Sequence, residues 1–188
     1  MISESSLKVP ETIVLVGLMG AGKTCIGSRL AERLGVPFVD ADAEIERAAG
    51  CSIPDIFALY GEAAFRDGER RVIARLLNDP VQVLATGGGA FMDPETRRRV
   101  RECAISVWLR ADIELLMNRT MRRNDRPLLQ TGKRRDTLKR LMAERHPVYA
   151  EADIAVDSAR EPPDVTVDRM IEALRNHLAT RKTAETAT

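Results

Sequence analysis

A chain of 188 residues is long enough for one sizeable hydrophobic core, and no shift in composition marks a second domain, so residues 1–180 read as a single domain followed by a frayed, disordered tail at 181–188. Lys and Arg total 29 against 28 Asp and Glu, a formal net charge of +1, which leaves no global field to draw the chain to nucleic acid or a membrane. No apolar run approaches the roughly twenty residues of a membrane span. The N-terminus "MISESSLKVPET" is polar, and Cys25, Cys51 and Cys103 are an odd set without CxxC spacing, so the chain reads as cytoplasmic, with reduced thiols and neither a disulfide framework nor a zinc site.

The first element is "TIVLV" at residues 12–16, a continuous β-branched run of the kind that forms a buried parallel strand. A helix follows from Lys23 to Leu34, with Ile26, Leu30, Ala31 and Leu34 at helical spacing and a stop at Gly35 and Pro37. "PFVDAD" reads as a short second strand ending on acidic residues. "AEIERAAG" is a short helix, and Ser52 caps another through "PDIFALYG" that Gly61 separates from the longer "EAAFRDGERRVIARLLN". "VQVLATGGGA" is a third strand running into three glycines. Asp93-Pro94 opens a helix, "AISVWL" is a fourth strand, and Asp112 caps "IELLMNRTM". The basic segment at about 122–135, interrupted by Pro127 and Gly132, reads as a mobile lid. The helix "TLKRLMAERH", the strand "ADIAVD", the "SAREPPD" loop and a last helix over about 165–180 complete the chain.

Strands alternating with helices predict an α/β fold: a five-stranded parallel sheet flanked by helices in three layers, with ligands at the carboxyl ends of the strands. The motifs fall at those ends. Gly17-x-x-x-x-Gly22-Lys23-Thr24 follows a strand and opens a helix, the context of a P-loop, so Gly20, Ala21, Gly22, Lys23, Thr24 and Cys25 are candidate ATP-binding residues. In such a loop backbone N–H groups and the helix N-terminus converge on phosphate oxygens, the lysine neutralises the β/γ-phosphates and the threonine hydroxyl ligates Mg²⁺. Cys25 also fits the role of a small buried side chain.

The third strand ends without the carboxylate that many P-loop ATPases place near the metal. Asp40 and Asp42 are the available source. If the chain stays extended their side chains face one way, one serving the metal indirectly and the other the acceptor; the alternative is a helix N-cap beside a solvated turn residue. Gly87, Gly88 and Gly89 imply a close approach to the backbone, by a substrate among other candidates, or else a flexible turn. Arg66 and Arg145 lie in helical patterns, where spacing alone does not separate a binding role from a solvated one.

The P-loop, "DAD" at 40–42, "AFRDGE" at 64–69, "GGGA", "RPLL" at 126–129 and "RHPVY" at 145–149 occur in the order and approximate spacing of shikimate kinases. The resemblance spans nearly the whole chain and implies a P-loop kinase fold with ATP as phosphate donor, Mg²⁺, and shikimate as the small-molecule substrate, phosphorylated on its 3-hydroxyl in the pathway to chorismate and aromatic amino acids. It implies that Lys23, Asp42 and Arg126 are catalytic, that Asp42 meets the reacting hydroxyl, and that Arg66 and Arg145 hold the substrate carboxylate beside Gly87, Gly88 and Gly89. Planar guanidinium forks suit a carboxylate. It further implies that Arg126 reaches the ATP phosphates, that Arg119 and Pro162 lie near adenine, that Phe57 and Phe65 are pocket walls or core residues, that Glu69 orients the arginines or is a solvated helix acid, and that the protein is a monomer. A gluconate kinase and a nucleotide-dependent switch or binding module are the alternatives; the triple glycine and FR pair oppose the first, and a strict requirement for a small acid would exclude the second.

Overall fold

The computed structural model describes residues 7–121 and 134–186. Five strands form one parallel sheet in the order β2-β3-β1-β4-β5: β1 (Thr12–Val16), β2 (Phe38–Asp40), β3 (Val83–Ala85), β4 (Ala104–Ala111) and β5 (Ile154–Ser158). β1 lies at the centre, every residue buried, with Ile13 opposite Val83 on one side and Ile105 on the other. Helices on both faces account for its unbroken apolar run.

The crossovers decide which helix covers which face. α1 (Lys23–Leu34) carries the chain from β1 outward to β2, whereas α2 (Ala41–Ala49) with α3 (Ile53–Leu76), α4 (Pro94–Cys103), and α5 (Ile113–Met121) with α6 (Arg134–Tyr149) each carry it the opposite way across the sheet. Right-handed crossovers therefore put α1 on one face and these helices on the other. α7 (Pro163–Thr186) packs against α1 and β5 and completes the first layer.

Helix boundaries follow local chemistry. Asp40, Ser52, Asp93 and Asp112 each accept a hydrogen bond from an N–H in the first turn of α2, α3, α4 and α5. Gly61, at φ 81° and ψ 171°, breaks the path of α3, in keeping with its place between two helical patterns. Four expectations change. β2 stops at Asp40 because that residue caps α2, and β3 stops at Ala85, ahead of the glycines. Arg134 and Arg135, the end of the predicted lid, already belong to α6; the remainder of the lid, Arg126 included, lies outside the described residues. α7 runs to Thr186 rather than fraying after 180, and Arg181 on it forms a two-pronged bond to Glu11 just before β1, with N–O distances of 2.9 and 3.0 Å. No described helix is long and apolar enough to cross a membrane.

Candidate active site

The P-loop joins the end of β1 to α1. Gly20 (φ 84°) and Gly22 (φ 104°) hold backbone conformations that side-chain-bearing residues avoid, and Gly22 is the N-cap of α1, so the helix begins with its N–H groups and positive dipole end open toward the loop. The Lys23 ammonium folds over this loop, donating to the carbonyls of Gly17 (2.7 Å) and Leu18 (3.1 Å). Thr24 Oγ1 donates to Asp40 Oδ2 at 2.9 Å, while Asp40 Oδ1 caps the Asp42 N–H at 3.0 Å. A hydroxyl and a carboxylate side by side are hard oxygen donors of the kind that fit Mg²⁺.

On the far side of the loop, Arg119 from α5 donates through one nitrogen to Ala21 O (2.9 Å), Ser158 Oγ (2.9 Å) and, more weakly, Gly20 O (3.3 Å), and through another to Ala159 O (3.2 Å). It ties the phosphate loop to the end of β5. Burial lowers its pKa from the usual guanidinium value.

The far end of the site, after β3, is organised by the three glycines, none of which has a positive φ. Space, not backbone conformation, requires them. A Cβ on Gly87 would lie 2.8 Å from Glu69 Oε1 and 2.9 Å from Asp42 Oδ1; one on Gly88 would lie 3.3 Å from an Arg145 nitrogen; one on Gly89 would lie 2.5 Å from an Arg66 nitrogen. What approaches this backbone so closely is therefore the protein's own side chains: Asp42 from α2, Arg66 and Glu69 from α3, and Arg145 from α6. Arg97, on α4, fixes the far end of the loop by donating to the carbonyls of Phe91 and Met92, each at 2.9 Å.

Glu69 is 3 % exposed and accepts from Arg66 at 2.7 Å through Oε2, while Oε1 has no hydrogen-bond partner among the described residues. Burial pushes its pKa up; Arg66 opposes that shift and Asp42 adds to it. The guanidinium of Arg66 also lies over the Phe65 ring, 5.0 Å from its centroid, and Phe65 packs against Phe57 with centroids 4.7 Å apart. Arg145, 9 % exposed, donates to Gly88 O at 2.7 Å, and the Tyr149 hydroxyl donates to the same oxygen.

Both ends open into one cleft of about 1010 Å³, with the P-loop, Asp40, Asp42, Arg66, the three glycines, Arg119 and Arg145 in its wall. Cys25 is exposed there rather than buried. Asp40 and Asp42 do not alternate along an extended strand: Asp40 is a cap and Asp42 the second residue of α2, and the helical turn rather than the pleat brings both to the cleft. The Ala21 side chain is 1 % exposed and faces the core, leaving its backbone to the loop. Of the loop around Pro162 and Pro163 expected near adenine, Pro163 lines the cleft and Pro162 is exposed outside it. Glu69 is buried, not a solvated helix acid. Arg97 and Ser158 do not stand out in the sequence, where no spacing or composition separates them from ordinary helix and strand residues, and Tyr149, the last residue of "RHPVY", is given no role there.

A parallel sheet in this order, with a P-loop at its centre and an arginine-flanked glycine loop beside it, defines a P-loop small-molecule kinase. The family model described as shikimate kinase matches residues 19–175. A shikimate kinase of Paramagnetospirillum magneticum is 60 % identical over 176 residues, covering 94 % of this chain and 90 % of that protein. The chain belongs to the shikimate kinase family. Among solved structures, shikimate kinase from Acinetobacter baumannii in complex with shikimate is 38 % identical, with a TM-score of 0.86 over 88 % of this chain and 93 % of that one. A gluconokinase from Sinorhizobium meliloti, 20 % identical with a TM-score of 0.63 over 95 % and 99 % of the two chains, shares the fold alone.

Proposed function

We propose that this chain transfers the γ-phosphoryl group of Mg-ATP to the 3-hydroxyl of shikimate, giving shikimate 3-phosphate and ADP. One observation carries the proposal: two guanidiniums, Arg66 and Arg145, and the Asp42 carboxylate converge on the glycines at the end of β3, in the same cleft as the P-loop. A planar carboxylate fits the two arginine forks, which fixes the ring; Asp42 then takes the hydrogen bond of the reacting hydroxyl. The hydroxyl oxygen bonds to the γ-phosphorus as the bond to the β–γ bridging oxygen breaks, and the released proton passes to Asp42 or to water.

Positioning and charge supply most of the rate in a loose phosphoryl-transfer transition state. Lys23 exchanges the Gly17 and Leu18 carbonyls for phosphate oxygens, and the α1 N-terminus faces the same negative charge. Thr24, with Asp40 beside its hydroxyl, would hold Mg²⁺, which when bound would offset phosphate charge. Arg126, outside the described residues, joins Lys23 on the phosphates by family resemblance, and Arg119 with Pro163 forms the adenine end. The enzyme works as a cytoplasmic monomer on small molecules in this reading.

ADP release from Mg-ATP, measured with shikimate, with gluconate and without acceptor, tests the proposal. Release with shikimate alone is the expected result; equal release with gluconate or with water overturns the acceptor assignment.

A further inference from the structure

α6 carries Arg145 and, about one turn further on, Tyr149, and both donate to the carbonyl oxygen of Gly88. Arg145 has a role in the transfer; Tyr149 has none so far. We infer that the Tyr149 hydroxyl is a positioning group for phosphoryl transfer, holding the Gly88–Gly89 peptide so that the acceptor loop keeps its place against the phosphate loop. The inference rests on the reading that Arg145 holds the acceptor carboxylate.

A fully buried tyrosine needs some partner for its hydroxyl, so the bond alone could be plain core satisfaction. Three further facts give it a direction. A carbonyl oxygen has two lone pairs, and α6 fills both at Gly88. Because a trans peptide sets the N–H opposite the C=O, pinning the Gly88 oxygen toward α6 turns the Gly89 N–H away from that helix, in a loop whose glycines line the cleft. The Gly88 backbone also abuts the phosphate loop: a Cβ there would stand 3.5 Å from Met19 N and 3.6 Å from Gly17 O, the carbonyl that also accepts from Lys23. Tyr149 thus anchors a glycine whose backbone lies beside the phosphate loop at Gly17 and Met19.

The arginine and the tyrosine are not redundant. A carboxylate on Arg145 competes for the guanidinium that now donates to Gly88 O, and Tyr149 is the donor that remains. Neighbouring rings hold the phenol in place, with Trp108 lying 6.0 Å and His146 6.3 Å from it, centroid to centroid. Burial raises the phenol pKa, with Glu69 from α3 adding to the shift and Arg145 and Arg66 opposing it, so the hydroxyl stays the protonated donor.

Tyr149→Phe removes the hydroxyl alone and leaves Arg145 on the carbonyl, so the resting fold keeps its packing. Steady-state kinetics of this variant with shikimate and Mg-ATP, together with the Kd of Mg-ADP by calorimetry, tests the inference. Expected are a KM for shikimate raised about three- to tenfold, a lowered kcat, and a Kd for Mg-ADP within about twofold of the parent. Leu138→Val, a truncation of a fully buried side chain on the same helix, serves as the structural comparison: it lowers Tm without separating the two substrates. Tyr149→Phe with parental KM and kcat, or with a loss that falls on the nucleotide alone or equally on both ligands, overturns the positioning role. If the parent enzyme ignores shikimate, the acceptor reading has failed; if it uses shikimate and Tyr149→Phe is indistinguishable from it, only the present inference has.

Discussion

Gly89→Ala isolates what the triple glycine is for. At φ −102° and ψ −14°, Gly89 sits where alanine fits without backbone strain, so the added methyl acts through its contacts. That methyl would lie 2.5 and 2.7 Å from the two terminal nitrogens of Arg66 and 2.8 Å from its central carbon. These atoms are the far end of a long side chain that is already 32 % exposed, so the guanidinium swings out and the loop stays. It leaves Glu69 Oε2, now 2.7 Å away, and with it the place from which, in the proposed arrangement, it holds the acceptor carboxylate. A charge-assisted hydrogen bond is worth about 1.5–3 kcal/mol, which corresponds to a KM for shikimate raised roughly ten- to a hundredfold. The KM for ATP should stay within about twofold, because no nucleotide group touches Arg66 in the proposed arrangement. Initial rates of ADP release against shikimate concentration measure the first effect and against ATP the second. The decisive comparison is a double-mutant cycle. If the added methyl acts only by evicting Arg66, then Gly89→Ala costs nothing further in an Arg66→Ala background, to within about 0.5 kcal/mol. Additive losses, or a Gly89→Ala enzyme with parental KM, would refute the steric account.

Three other outcomes follow from the same geometry. Asp42→Asn keeps the shape beside Gly87 but loses the acceptor charge, and kcat for shikimate should fall by at least about a hundredfold with a smaller change in KM; near-normal turnover removes Asp42 from the chemistry. Glu69 has its folded pKa raised above the ordinary 4.5, so its stabilising protonated form is fully present below that value and its contribution is lost as pH rises through the folded pKa. The Tm of the parent minus that of Glu69→Gln should therefore decline as pH is raised from about 4 to 8, and a difference independent of pH would show that Glu69 titrates normally. Gly27→Ala puts a methyl 2.8 Å from both Leu15 Cδ1 and Phe38 Cε2 at the α1–sheet contact; overpacking of about 1–3 kcal/mol, offset by about 1 kcal/mol of helix propensity, should lower Tm by up to about 8 °C, and a raised Tm would mean the contact relaxes freely.

Local chemistry wrote what the sequence made legible. β1 and α1 were readable to their ends because the apolar run stops at Gly17 and the helix stops at Gly35, which takes a left-handed conformation of φ 70°. The Asp40-Ala41-Asp42 stretch was ambiguous for the same local reason: alternation reads as strand, yet an aspartate before a helical pattern is also an N-cap, and the cap won. The triple glycine announced a close approach but not its identity, since the approaching groups come from α2, α3 and α6, far away in sequence. Arg66 and Arg145 gained a role only from family resemblance, because a helical arginine looks the same whether it faces solvent or a carbonyl. Tyr149 and Arg97 act through backbone oxygens, a partnership that leaves no trace in residue spacing.

The strand order explains why these parts meet at all. β1 and β3 are neighbours, with Leu15 paired to Ala85, so the loops that leave their carboxyl ends, one for phosphate and one for the acceptor, emerge side by side. Thr86 reinforces that junction by donating from Oγ1 to Leu15 O at 2.9 Å. β2, outside β3, delivers Asp40 and Asp42 to the acceptor side. β4 and β5, on the other flank, deliver Arg119 and Ser158 to the opposite side of the P-loop. In the proposed arrangement acceptor, phosphates and base lie in that order across the sheet, so the γ-phosphoryl group crosses from the P-loop after the central strand β1 to the acceptor loop beside it. A mutation that shifted the β1–β3 register by one residue would displace the loop after β3 relative to the P-loop by about 3.3 Å, the rise of one strand residue, a shift as large as the whole near-attack distance the proposed reaction requires. The β1–β3 pairing, Ile13 with Val83 through Leu15 with Ala85, and the Thr86 hydrogen bond to Leu15 O hold the register on which the proposed alignment depends.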